Sequence, residues 1–587
     1  MWHPLRGDRP ASFRSNLLPL TIAVGSGLLM GLAPAPLNLF PLAWVALAPL
    51  WVLITERSIK GKWMTPVLLA LAWGIGYHGL ALSWITGLHP LTWLGVPWLA
   101  SIAIVLFCWG FITLWGAALV IVWAWLLQQL EGFSNEGQAI EHKPPFCLLH
   151  PLALDLHRFP LPFASLRRVL VGTALWCGLE WFWSLGPLGW TSLAYTQSPG
   201  NLALLHLGQL SGTSGVTAAI VAVNGLLAEV WMSYQLSAVS RQPLTTQTSK
   251  LSSTTQNSKL SSVAAPSTTQ NSKLKAVTLL SFAAILLIAV HLLGYALYAR
   301  SLSSTNGAAL KVGIIQGNVP TRIKLGSEGI QKATKGYTNG YETLVAEGVD
   351  AVLTPEGALP FLWNESNRLR SPLYQAVLER GTLLWLGTFT AQNGGIARSL
   401  VAIASDGTTA SRYDKIKLVP LGEYIPFQNL LGGMISILSP ITENGQPGAF
   451  RQQFETPFGR AIASICYDSA FPEVFRSQAA AGGQFILTAS NLDPYSEVLM
   501  AQHQAQDIMR AIETDRWAVR ATNTGYSGFV TPHGHVEWRS QPHTYQTHVA
   551  TIFRRQTQTL YVRWGDWLTP LLVSLGAIMV LFSRQRV

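Results

Sequence analysis

Eight runs of mainly apolar residues punctuate the chain, near 16–34, 37–55, 63–84, 99–127, 168–186, 212–232, 276–298 and 566–583. A helix needs roughly 20 such residues to cross about 30 Å of hydrocarbon, where every backbone N–H and C=O must be bonded internally. Each run is therefore expected to be a membrane-spanning helix. The composition, 49% hydrophobic and 12% charged, is too apolar for an ordinary soluble protein and agrees with that reading. The apolar stretch over 91–127 exceeds one simple span, so its first part is expected to lie in the interface or to re-enter.

Basic residues set the orientation, because short loops rich in Lys and Arg stay in the cytoplasm. Arg6, Arg9 and Arg14 precede the first run, and Arg57, Lys60 and Lys62 follow the second. Lys143, Arg158, Arg167 and Arg168 precede the fifth, Lys250, Lys259, Lys273 and Lys275 precede the seventh, and Arg584 and Arg586 follow the eighth. The intervening loops 85–98 and 187–211 contain no Lys or Arg. Both ends are thus expected in the cytoplasm, with the segment from about 300 to 565 on the opposite face. Arginines followed by an apolar run and "APAP" also fit a cleaved signal peptide; seven further runs favour a retained helix. The net charge of +11 belongs to these loops rather than to a soluble basic face, so no nucleic-acid partner is expected.

Residues 1–235 are accordingly assigned six spans and a cytoplasmic insertion near 129–166, and 276–298 and 566–583 the remaining two. Between them, 236–275 carries "TTQTSKL" at 245 and "TTQNSKL" at 254 and 268. With so few large apolar residues it is expected to be a disordered linker. The segment 311–555 changes character, alternating short β-rich runs with polar helical patterns. Strands are expected at "KVGIIQG", "DAVLTP", "LLWLGTFT", "SLVAIAS", "RAIASIC", "QFILTAS", "AVRATN" and "HVATIF", and helices over 328–347, 368–379 and 497–515. That pattern predicts an α/β domain with helices layered over a mixed sheet.

Three of its segments end an apolar strand in a reactive side chain. "AVLTPEGALP" delivers Glu356, "YDKIKLVPLGEYIPF" delivers Lys415, and "AIASICYDSAFPE" delivers Cys466. Side chains at the carboxyl ends of strands leave the packed sheet, so all three suit one cleft. A free thiol with pKa about 8.5 is mostly protonated at neutral pH and needs a base or a cation to attack. Glu356 would take the proton, and Lys415 would stabilise the thiolate and a tetrahedral intermediate. Singly, the cysteine reads as core filler, the glutamate as a turn acid and the lysine as surface charge; the combination points to acyl chemistry. Cys108, Cys147, Cys177 and Cys466 have no metal-type spacing, and no HExxH pair or GxSxG elbow occurs, so no metal or cofactor is expected.

These residues resemble the carbon-nitrogen hydrolase (nitrilase) superfamily in "TPEGALP", "YDKIKLVPLGEYIPF", "ICYDSAFPE" and "TASN...HQ......RAIE..R..VRATNTG". Together with the eight runs, "LAPAPLNLFPLAWVALAPLW", "QGNVP" and "YVRWGDW" are similar to its membrane branch, the apolipoprotein N-acyltransferases. The resemblance implies an eight-helix transmembrane bundle plus a nitrilase-like α-β-β-α sandwich of four layers. It implies a bacterial inner-membrane enzyme with its catalytic domain in the periplasm. Glu356 would be the general base, Lys415 the oxyanion stabiliser and Cys466 the nucleophile, with Glu423, Tyr467 and Asp468 in support. Cys466 would take an acyl chain from a phospholipid as a thioester and pass it to the α-amine of a diacylglyceryl-cysteine apolipoprotein, as a monomer without cofactors.

The chain departs from that pattern in four places. Asp468 stands where glutamate is common, Leu325 where a tryptophan is, Leu421 where a phenylalanine is, and "LDPY" follows "SN". These changes are expected to bear on donor or acceptor preference, not on reaction class. Leu325, Phe361, Trp363 and Met434 are the candidate substrate-binding residues. "LLGGMISILSP", 430–440, reads either as a buried arm or as a lipid-contacting lid hinged at Gly432 and Gly433.

Glu180 inside a run is either functional or a structural hydrogen-bond acceptor. Gly27 and Gly31 predict a helix contact, Trp564 and Trp567 an interfacial belt, and His503 and His533 polar contacts. A membrane-bound amidase or nitrilase using water as acceptor is the main rival reading. A non-enzymatic scaffold or transporter is the other, and the chain shows neither the repeated halves nor the broken helices of a transporter.

Overall fold

The computed structural model describes residues 12–58, 64–92, 95–135, 162–239, 267–302, 308–420, 422–424 and 445–584. The long helices of the N-terminal half are α1 (Ser12–Gly31), α2 (Ala48–Ser58), α3 (Met64–Ala81), α4 (Trp98–Asn135), α5 (Phe163–Ser184), α6 (Thr213–Val239) and α7 (Ser267–Tyr298). Among the described residues three stretches are long and apolar enough to cross a membrane: Trp98–Leu130, Thr213–Gln235 and Asn271–Tyr298. The other expected spans fall on shorter apolar helices or, in α5, on a helix carrying Arg167, Arg168 and Glu180. Pro41 and Pro49 divide the run 37–55 into a 3-10 turn, Phe40–Trp44, and the short α2.

Tryptophans fill the interior of this half. Trp123 meets Trp51 and Trp176 edge-on at 5.2 and 5.3 Å, and its indole N–H donates to the Gly172 carbonyl at 2.9 Å. A Cβ on Gly27 would lie 2.2 Å from the Trp73 carbonyl oxygen, so α1 and α3 touch backbone to backbone, as the Gly27/Gly31 spacing predicts. Asn224 solves the start of α2: its Oδ1 accepts from the N–H groups of Leu47 and Ala48, both at 2.9 Å. Leu106, Phe107 and Phe111 of α4 and Ile285, Ile288 and Leu292 of α7 instead face outward, 53–66% exposed, as lipid-facing side chains do.

Helix also replaces both ends of the expected linker 236–275, since α6 runs to Val239 and α7 begins at Ser267. A helix once begun extends into a polar flank because each further residue adds one backbone hydrogen bond without a new nucleation cost. The rest of that linker, and the centre of the insertion near 129–166, lie outside the described residues.

Two sheets build the C-terminal domain. The first contains β1 (Ala309–Gln316), β2 (Ala351–Leu353), β3 (Leu383–Gln392), β4 (Gly395–Ile403), β5 (Thr409–Asp414) and β11 (Gln546–Phe553), in the order β11-β1-β2-β3-β4-β5. The second contains β6 (Ile462–Ile465), β7 (Ile486–Ser490), β8 (Ala518–Thr522), β9 (Gly528–Val530) and β10 (Val536–Arg539), in the order β10-β9-β8-β7-β6. β1-β2-β3 and β6-β7-β8 are parallel runs.

Alternation along the strands sorts side chains between layers. Trp385 of β3 packs on Phe485 at 5.9 Å, joining the inner faces of the two sheets. On the opposite face Val352, Leu384, Leu386, Val401 and Ile403 cluster with Tyr337, Tyr341 and Leu344 of α8 (Ser327–Ala346) and Leu373 and Val377 of α9 (Pro372–Arg380). The second sheet is covered by α10 (Pro472–Ala480) and α11 (Glu497–Thr514), which bring Val474, Phe475, Met500 and Ile508 into its core. The short α12 (Leu560–Trp564) and the apolar α13 (Leu568–Arg584) follow.

The halves are bolted together by hydrogen bonds. Trp190 donates to Gln502 Oε1 at 2.9 Å, Gln502 to the Ala81 carbonyl at 2.9 Å, and Ser198 to the Ala505 carbonyl at 2.7 Å. Ser211 and Ser214 donate to Asp566, and Trp567 to the Leu210 carbonyl at 2.7 Å. Trp564 is 68% exposed, as an interfacial tryptophan would be. Glu180 accepts from Ser192 (2.5 Å), Thr217 (2.8 Å), the Leu193 N–H (3.2 Å) and Trp176 (3.2 Å), which is the structural alternative for that acid.

Candidate active site

Parallel strands point their carboxyl ends the same way, and the candidate residues follow those ends. Glu356 lies three residues beyond β2. Its turn is pressed against β3, where a Cβ on Gly387 would lie 1.9 Å from the Pro355 carbonyl oxygen; only glycine fits. Lys415 follows β5 directly and donates its N–H to the Arg398 carbonyl at 2.8 Å. Cys466 follows β6 and opens a short 3-10 turn, Cys466–Ala470.

Lys415 is wholly buried, and its Nζ donates to Glu356 Oε1 at 2.9 Å and to Glu423 Oε1 at 2.6 Å. Burial alone would lower its pKa; the two carboxylates override burial and hold it above the ordinary lysine range. Arg398 Nε adds a second cation 3.0 Å from Glu423 Oε1, and Glu423 Oε2 accepts from the Val419 N–H at 2.9 Å. Although burial pushes the Glu423 carboxyl up, Lys415 and Arg398 bring it below the usual range. Asn491 links this cluster to the thiol: its N–H donates to Glu356 Oε2 at 3.1 Å, while its carbonyl lies 3.9 Å from Cys466 Sγ.

Cys466 adopts a φ of 50°, a left-handed conformation costing an L-residue about 1–2 kcal/mol. Its surroundings hold it there. Asp468 Oδ2 accepts from the Ile465 N–H and the Tyr413 hydroxyl, both at 3.0 Å, and Oδ1 from the Lys417 N–H at 2.8 Å. His503 Nε2–H donates to the Cys466 carbonyl at 2.9 Å, while Arg520 donates to His503 Nδ1 at 2.8 Å. Desolvation keeps that imidazole neutral, with its pKa down to about 3. The thiol is pushed up to about 12, first by burial and then by the Glu356 charge, against the pull of Lys415. It therefore rests as a thiol, and any attack by its sulfur would need a base.

The structure thus brings Glu356, Lys415, Glu423 and Cys466 together and gives the other sequence candidates different places. Asp468 has no exposed surface; its carboxylate is spent on the turn under Cys466, and burial raises its pKa to about 6. Tyr467 points toward the N-terminal half, donating to the Pro187 carbonyl at 2.7 Å and stacking on Trp190 at 6.1 Å. Trp363 packs edge-on to Tyr374 and, with Phe361, against the cluster under α8 and α9, drawn there by that apolar layer. Leu325 is 74% exposed at the end of a one-turn helix. Met434, Leu421 and the 430–440 segment lie outside the described residues.

Sequence reasoning missed several members of the site. Lys324, 6% exposed, donates to the Glu356 carbonyl at 3.0 Å; burial lowers its pKa to about 8 against the pull of Glu356 and Asp493. Arg398 stood just before the expected strand "SLVAIAS" and Asn491 inside "TASN", each without a signal that marks a role. Tyr495, within electrostatic reach of Cys466, meets Trp84 at 5.5 Å, and Trp84 meets Trp190 at 5.4 Å, so aromatic rings of the N-terminal half pack behind a neighbour of the thiol. Only long-range packing reveals it.

Two family models match in order along the chain: an apolipoprotein N-acyltransferase N-terminal domain over residues 26–226 and a carbon-nitrogen hydrolase over 311–560. An apolipoprotein N-acyltransferase of Nostoc sp. strain PCC 7120 is 50% identical, over 93% of this chain and 96% of the relative. One from Synechocystis sp. strain PCC 6803 is 42% identical over 94% and 98%, and one from Thermosynechococcus vestitus is 38% identical over 100% and 99%. A solved nitrilase-superfamily structure from Saccharomyces cerevisiae aligns with 44% of this chain and 94% of its own at 16% identity, with a TM-score of 0.34. With both domain models in sequence and near-full-length relatives at 38 to 50% identity, the chain belongs to the apolipoprotein N-acyltransferase family.

Proposed function

We propose that this protein moves an acyl chain from a membrane phospholipid, through a thioester on Cys466, to the α-amine of a diacylglyceryl-cysteine apolipoprotein. The observation that carries the reading is one buried cluster: a protonated thiol on a left-handed turn, a carboxylate bridged to it by Asn491, and a cation fixed between two acids.

In the first half-reaction Glu356 accepts the thiol proton as sulfur attacks the ester carbonyl of the donor. Lys415 stabilises the oxyanion. Collapse expels the lysophospholipid alkoxide, which takes the proton back from Glu356 and leaves the acyl group on sulfur. In the second, the amine attacks the thioester, Glu356 accepts its proton, and the departing thiolate is reprotonated. The scheme calls on no metal or cofactor, and a single chain supplies every group.

Both substrates are lipids, so the reaction suits a catalytic domain tethered by membrane helices. In this reading the eight apolar runs anchor the protein in a bacterial inner membrane, with both termini cytoplasmic and the catalytic domain on the periplasmic face. Trp84 and Trp190, carried by the N-terminal half, would offer the acyl chain an apolar wall. Acyl transfer is tested with a diacylated lipopeptide and the same peptide acetylated on its α-amine. The free amine should be acylated and the blocked one untouched; release of free fatty acid at equal rates with both would favour the hydrolase.

A further inference from the structure

We infer that the chain carries a second, non-catalytic lipid site: a cleft that takes the phosphate-bearing headgroup of an acidic phospholipid where α7 and α12 meet. The cleft, about 260 Å³, is lined by Gln209, Leu297, Arg300, Gln558, Leu560 and Arg563 among others, none of which belongs to the cluster around Cys466. Arg300 and Arg563 are exposed, and among the described residues neither guanidinium has an ion pair or side-chain hydrogen bond. Gln209, 6% exposed, adds a neutral amide to the lining of the cleft. An amide N–H can donate to a phosphate oxygen beside two guanidiniums.

The position selects the ligand. Arg300 lies just past the end of α7 and Arg563 just before the start of α13, the level at which an apolar helix meets headgroups. Tyr295 and Trp564, 58% and 68% exposed, flank it as interfacial aromatics do. Leu297 and Leu560 give the cleft an apolar floor, and Leu292 and Leu293 of α7, 63% and 48% exposed, continue as a surface for acyl chains. Two guanidiniums can share one phosphate, whereas a zwitterionic headgroup would bring its own cation against them. The bound lipid would bridge two segments already tied to the catalytic domain: Tyr298 bonds His535 at 2.7 Å, and Thr559 donates to the Glu513 carbonyl at 2.7 Å. It would hold that domain against the bilayer surface.

The inference rests on the membrane reading above. It is tested by native mass spectrometry of the full chain in detergent, titrated with phosphatidylglycerol, phosphatidylcholine or inorganic phosphate. The unmodified protein should retain one more phosphatidylglycerol than Arg300→Gln/Arg563→Gln, whose affinity at this site should fall roughly tenfold or more. Arg300→Lys/Arg563→Lys, which keeps both charges, should retain the lipid. Equal phosphatidylglycerol retention by the glutamine variant, equal retention of phosphatidylcholine, or displacement by inorganic phosphate would each overturn the site. The covalent acyl adduct on Cys466 is read separately from the denatured mass, so its absence would count against the proposed reaction and not against the cleft.

Discussion

A buried thiol with its pKa near 12 keeps its thiolate scarce across the neutral range, and that fraction grows about tenfold with each pH unit until the pKa is reached. Alkylation of Cys466 by iodoacetamide should therefore be slow and should still be climbing, with no plateau, at about pH 9, unlike a free cysteine, whose rate levels off above about 8.5. A fast rate that is already flat between about pH 6 and 9 would mean a preformed thiolate. Glu356→Gln should lower kcat by roughly 10²–10⁴-fold, the usual share of a general base. Lys324 makes a second pH prediction. Its folded pKa of about 8 lies below the ordinary lysine value, so its charge beside the Glu356 turn is present below pH 8 and lost above it. Activity should fall as pH rises through about 8, and Lys324→Arg should flatten that limb; an unchanged profile would show that the charge plays no part. The grouping of Glu356, Lys415 and Cys466 was legible because each follows an apolar strand and is of a type that thiol acyl chemistry would need. Lys324 and Asn491 were not, since each acts through a backbone contact that no motif records.

At the scale of the element, the turn Cys466–Ala470 is held by one side chain. Asp468 offers only acceptors to three donors, from Ile465, Tyr413 and Lys417. Asp468→Asn would aim an N–H at one of them and should destabilise the domain by about 1–3 kcal/mol, read from denaturant unfolding, with activity lost alongside. Asp468→Glu adds a methylene where no surface is exposed and should cost a similar ~1–3 kcal/mol while leaving donor preference unchanged. A change in preferred donor would return Asp468 to the substrate side. The strand pattern foresaw β1 to β4, β6 to β8 and β11, each a mostly apolar run. It missed β5, β9 and β10: β5 and β10 are half-exposed, and β9 has three residues, so neither alternation nor an apolar run marks them.

The whole molecule joins an apolar helical half to a two-sheet domain through hydrogen bonds and one continuous apolar core. The division into an apolar half and an α/β half was plain from composition, and the basic loops gave an orientation. Helix length was less plain, because hydropathy does not register where proline splits a run or where a charged residue such as Glu180 is satisfied by neighbours. In a chain stripped of its native cysteines, a cysteine placed at Gln541 should react with an impermeant maleimide from outside intact cells, and one at Lys250 only after lysis. The reverse pattern would invert the topology.

The central claim, an acyl group carried on Cys466, is met most directly by the intact mass of the purified protein after incubation with phospholipid. One acyl increment should appear, should be absent in Cys466→Ala, and should disappear when a diacylated lipopeptide with a free α-amine is added. No increment, or an increment that survives in Cys466→Ala, would contradict it.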